Sequence, residues 1–163
     1  SARGMVEVNA RRGWFVVQPS LDEAREAFGA RLALETGLLH GLDGPLPKAA
    51  IRQLKDHVAR EQAAIRAADA GERSWLLGDF HVRMAHLMGN DVLAALLGDL
   101  ISRCALITLM YQSSIEAEHS HDEHTAIVQA IEAGNEALAL QRMDEHLLHV
   151  EQALTFHTPV DAR

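Results

Sequence analysis

Three histidines, His81, His124 and His146, are the residues of this sequence best placed for chemistry. In the stretch LGDFHVRMAHLMGN, residues 77–90, a count of about 100° per residue puts His81 beside Leu77, Met84 and Met88, with Asp79 and His86 roughly opposite. His124 shares a face with Ile127, Val128 and Ile131, and His146 flanks the stripe of Met143, Leu147 and Val150. An imidazole aimed into a core needs a hydrogen bond, a metal or a ligand. Three of them on three helices suit a divalent transition metal. Three unrelated core histidines, each bonded to a carbonyl or carboxylate, are the plainer alternative. His121 and His149 lie one turn from His124 and His146, as supporting or rim residues; His40, His57, His119 and His157 carry no pattern. Arg31 and Arg103 are candidate anchors for a ligand carboxylate, since guanidinium binds it bidentately. The alternative pairs Arg31 with Glu35 and Arg103 with Asp99, both at i,i+4 spacing.

The elements that must position these residues are helices. Hydrophobic residues make up 48% of 163 but aromatics only 4%, so Ala and Leu dominate and favour helix. The periodicity predicts helices over about 21–41, 46–69, 73–88, 91–114, 121–133 and 136–154. The first carries Phe28, Leu32, Leu39 and Leu42 as apolar positions after a capping box of Ser20 and Glu23. The many charges of the second read as a solvated face. The fourth is apolar nearly all round and belongs in a bundle centre or an interface. Ser120 with Glu123 reads as the capping box of the fifth, and Gly89-Asn90 and Gly134-Asn135 end and restart helices. The expected fold is all-α, an antiparallel bundle of six helices, or seven, preceded by a short β-hairpin remnant. That hairpin joins Met5–Val8 to Trp14–Val17 through a turn holding Arg11 and Arg12.

The formal net charge of −8 argues against this chain alone gripping nucleic acid or an anionic membrane. No apolar run approaches a membrane span and no signal-peptide pattern is present. The single cysteine, Cys104, suits a reducing, cytoplasmic setting.

FHVRMAHLMGN and EHTAIVQAIEAGNEALALQRMDEHL resemble the FadR-type C-terminal (FCD) effector domain of GntR-family bacterial transcription regulators. The 22-residue step from His124 to His146 around Gly134-Asn135 fits that pattern, and AFGARLALE is similar to the family's first effector helix. GMVEVNARRGWFVVQPS resembles the wing of the family's winged helix-turn-helix. The resemblance divides the chain into residues 1–19, the wing hairpin and linker, and 20–163, the effector-binding and dimerisation domain. It implies a homodimer that binds operator DNA as the full-length protein, with Arg11 and Arg12 near phosphate. It also implies a small organic acid bound at or beside a divalent metal (zinc, nickel or manganese) on His81, His124 and His146. The family's aspartate ligand falls at Leu77, so the only anionic ligand is missing. The alternative function is a three-histidine, metal-dependent bundle enzyme of the DinB type, a hydrolase or transferase. Against it, no inward carboxylate is evident as a general base, and the expectation is that the chain is not an enzyme. A purely structural dimerisation module is the third possibility.

Overall fold

The computed structural model describes residues 6–9, 13–16, 21–111 and 113–156. Among these, six helices follow one another: α1 (Leu21–Leu39), α2 (Lys48–Arg66), α3 (Ala70–Leu87), α4 (Asp91–Tyr111), α5 (Ser114–Glu132) and α6 (Glu136–Phe156). They pack as a closed ring, α1 on α4, α4 on α3, α3 on α2, α2 on α5, α5 on α6, and α6 back on α1; α3 also meets α5, and α4 meets α6, across the middle. Every helix therefore has an inward face, and Leu39, Leu54, Phe80, Leu97, Ile127 and Met143 fill the centre. The fold is all-α, as the periodicity predicts. Ahead of it, β1 (Val6–Asn9) and β2 (Gly13–Val16) pair antiparallel, with Val6 opposite Val16 and Asn9 opposite Gly13. Arg11, Arg12, Ser20 and His157 lie outside the described residues.

The helix boundaries follow local chemistry. Gly89 and Gly134 take positive φ, 80° and 64°, where chains leave helices. At Gly134 a Cβ would sit 2.6 Å from the Pro45 nitrogen, so the α5–α6 turn requires glycine for space as well. The Asn90 and Asn135 side chains then accept the backbone N–H groups of Leu93 and Leu138, capping α4 and α6.

Three expectations are corrected. α3 starts at Ala70 rather than 73, because Asp69 accepts the Glu72 N–H and caps it there. α5 starts at Ser114, seven residues before the expected position. The working capping box is Ser113 with Glu116, which accept each other's backbone N–H groups. Ser120, read as a cap, is instead buried mid-helix. On α1, Leu32 is turned outward, 36% exposed, while Arg31 and Glu35 point in. On α4, Ala94, Leu97 and Cys104 are buried but Val92 and Leu96 stay exposed, leaving an apolar outer strip. No helix among the described residues is long and apolar enough to cross a membrane.

Candidate metal centre

His81 on α3, His124 on α5 and His146 on α6 meet in the middle of the ring, all buried, with ligand-capable nitrogens within 4.8 Å of one another. The His146 Nε2 lies 3.2 Å from His124 Nε2 and 3.3 Å from His81 Nε2. Each ring is held from behind by a carboxylate on its other nitrogen. Glu35 of α1 takes His81 Nδ1 at 2.5 Å, Glu61 of α2 takes His124 Nδ1 at 2.9 Å, and Glu123 of α5 takes His146 Nδ1 at 2.7 Å. A carboxylate accepts, so each Nδ1 carries the hydrogen and each Nε2 presents a lone pair. Three lone pairs facing one another at these distances lack a donor between them. A divalent cation satisfies all three: with metal–nitrogen bonds of about 2.0–2.1 Å, neighbouring ligands of a tetrahedral site stand about 3.3–3.4 Å apart. The residues present therefore fit a metal.

The surrounding electrostatics agree. Burial, followed by the charge of His124, lowers His146 to about 4. Burial and then Arg31 hold His81 well below its ordinary value. Both rings are neutral at pH 7, as ligands must be. Burial works to raise Glu61, but His124 together with the hydrogen bonds from His121 and His124 brings it below the usual carboxylate value. Burial likewise opposes Glu123, and the hydrogen bonds from His146 and His149 outweigh it. Glu35 goes the other way: burial raises it against the pull of Arg31.

Arg31 is 5% exposed, its Nε donates to Glu35 at 3.1 Å, and its guanidinium lies 5.1 Å from the Phe28 ring centroid. Its Nη2 is buried with no hydrogen-bond partner. A buried unpaired guanidinium nitrogen is costly unless something accepts from it. Arg31 lines a small cavity of about 40 Å³ together with His81, His124, His146 and Leu77. The cavity thus holds a donor-rich side, Arg31, and a side of three histidines that could hold a cation.

Residues 26–149 match the family model of the FCD domain. The chain belongs to the FCD domain family of GntR-type regulators. Two solved structures share the fold. One is a GntR protein of Streptococcus agalactiae, at 20% identity with a TM-score of 0.71, over 93% of this chain and 76% of that one. The other is Lar, which controls the expression of the Listeria monocytogenes agr system and mediates virulence, at 11% identity with a TM-score of 0.76, over 96% of this chain and 75% of that one. No curated protein matches the sequence.

Within this FCD domain the other candidate residues are placed as follows. Arg103 is exposed and does not line the histidine cavity, because it lies on the outer side of α4. His121 and His149 both end on the supporting carboxylates, at 3.4 Å from Glu61 and 2.5 Å from Glu123. Leu77, at the family's aspartate position, is buried and faces the cavity one turn before His81. Asp79 is turned away from the cluster, 3.8 Å from His57 Nδ1. Two inward carboxylates that the sequence reading does not single out, Glu35 and Glu61, are fully buried against the histidines, each behind a ring on its Nδ1. His57, which has no pattern in the sequence, is also buried, and its Nε2 donates to the Leu76 carbonyl at 2.9 Å.

Proposed function

We propose that this FCD domain senses a small carboxylate at a divalent transition metal (zinc, nickel or manganese) held by His81, His124 and His146. Arg31 anchors the carboxylate, and the occupied site biases operator binding by a homodimer of the full-length regulator. The observation that carries the reading is the convergence of three Nε2 lone pairs whose Nδ1 atoms are already committed to carboxylates, with the unpartnered Arg31 Nη2 on the same cavity. When bound, the cation supplies a Lewis-acidic coordination position for a carboxylate oxygen. Arg31 then takes the other oxygen, so one ligand satisfies the guanidinium and the open coordination position together.

The three carboxylates sit behind the rings, on Nδ1, and none is aimed at the convergence point as a general base. That favours sensing over catalysis. The exposed Val92 and Leu96 of α4 fit a dimer surface. Residues 1–19, with Arg11 and Arg12 in the turn, are read as the last hairpin and linker of a winged helix-turn-helix whose arginines face phosphate. Signalling is then a population shift between dimer arrangements that favour or oppose operator contact.

Elemental analysis of tag-free protein purified without added metal tests the centre. Near-stoichiometric divalent metal is expected, lost in His124→Ala and His146→Ala while helical circular dichroism persists. Absence of metal, together with no thermal shift on adding zinc, nickel or manganese, overturns the metal reading. Carboxylate binding that is indifferent to Arg31→Met overturns the anchor.

A further inference from the structure

The histidine cavity is too small for a whole effector. Its volume of about 40 Å³ matches roughly three water-sized volumes, enough for a carboxylate head beside the histidines and little more. A second, larger cavity of about 240 Å³ lies next to it, between α4, α5 and α6. Thr108, Ser120 and Val150 line both, so the two chambers meet at that throat. Anything attached to the carboxylate head that passes the throat enters the outer chamber.

The two chambers have opposite character. The inner one presents the Arg31 guanidinium and the three histidines. The outer one presents two carboxylates, Glu116 and Glu123, along with His119 and His149. The two Glu123 oxygens accept from His146 Nδ1 and His149 Nδ1, so this carboxylate is fixed in the wall between the chambers. The Nδ1 of His149 is already turned onto Glu123, so that ring directs no Nδ1 donor at a ligand. Among the described residues the outer chamber is therefore an acceptor-rich, acidic compartment, and a second anionic group there would meet two like charges.

Resting on the sensing function proposed above, we infer that the effector is a two-ended molecule: one carboxylate for the inner chamber and a far end rich in hydrogen-bond donors, hydroxyl or ammonium, for the outer one. Dicarboxylates are rejected by Glu116 and Glu123. The acidic chamber acts as the selectivity filter, and Arg31 with the histidines acts as the common anchor.

Calorimetry on metal-reconstituted protein with probes of one length tests this: pentanoate, glutarate, 5-hydroxypentanoate and 5-aminopentanoate. The amino and hydroxy acids are expected to bind at least about tenfold more tightly than glutarate. Glu116→Gln should narrow that gap, since it removes a charge while keeping a residue that serves equally in the α5 capping box. Glutarate binding as tightly as the amino and hydroxy acids, with all probes weakened by Arg31→Met, overturns the filter and leaves the sensing function standing. No binding by any probe, or binding indifferent to Arg31→Met, overturns both. Where the methionine variant does not fold, Arg31→Lys keeps a charge beside Glu35 and serves instead, and the probe ranking on the unaltered protein stands by itself.

Discussion

A histidine whose Nδ1 is bonded to a carboxylate has its tautomer chosen for it, and its basicity raised, by that carboxylate. Here Glu61 serves His124 in this way, and it also takes His121. Glu61→Gln keeps the shape but removes the charge and one acceptor oxygen, so divalent-metal affinity should fall by roughly 10- to 100-fold, read by competition with a chelating dye. Unchanged affinity would mean that the carboxylate behind His124 plays no part in holding the ion. Leu77 offers the converse test. It faces the cavity one turn before His81, where a carboxylate would reach the same centre. Leu77→Asp should lower the melting temperature of chelator-treated protein, because it buries an unpaired charge. With metal added it should melt above the metal-loaded parent, because the added anion becomes a ligand. A variant that is destabilised equally with and without metal would show that position 77 does not face the ion.

At the scale of the elements, the sequence shows the helices and the three inward histidines because both signals are periodic. The supporting carboxylates were equally present in the pattern and were masked by their type. On α2 the positions 51, 54, 58, 61 and 65 recur at steps of three and four, and Glu61 is one of them. On α1 the positions 24, 28, 31, 35 and 38 do the same, so Arg31 and Glu35 occupy core positions while Leu32 falls outside. A polar residue in the stripe looks like an interruption until its partner, 46 residues away on α3 for Glu35, is folded against it. The start of α5 is a different failure. Ser113-x-x-Glu116 and Ser120-x-x-Glu123 spell the same local signal, and only tertiary context decides between them: Ser120 and Glu123 are drawn into the two cavities. Ser113→Ala should therefore cost about 1 kcal/mol of stability in denaturant unfolding, as loss of a cap does. Ser120→Ala should leave the start of α5 intact and act on ligand binding at the throat. The reverse order of effects would return the cap to Ser120.

At the scale of the whole molecule, the ring of helices concentrates its titratable groups in one buried knot, and stability is tied to pH through it. In metal-free protein, burial, followed by the neighbouring His124, holds His146 at about 4, against an ordinary imidazole value of 6.5. Between those values the unfolded chain binds the proton and the folded chain does not. The stabilisation is thus fully present above 6.5 and lost as pH falls toward 4, amounting to roughly 3 kcal/mol for this one ring. His81, also lowered, acts in the same direction. Glu61 and Glu123, lowered from 4.5, add a further loss at still lower pH. Glu35 alone opposes them, since its raised carboxyl takes up a proton more readily folded than unfolded. His146 and His81 act together over the upper part of the range, so chelator-treated protein should melt at progressively lower temperature from pH 7 to pH 5. Metal-loaded protein should lie above it at pH 7, because a ligand bound only to the folded state stabilises it. The two curves should converge on acidification as protons compete for the same three nitrogens. Parallel curves, with a constant gap down to pH 5, would place the metal on groups other than these histidines. A flat chelator-treated curve would mean that His146 is protonated as readily folded as unfolded.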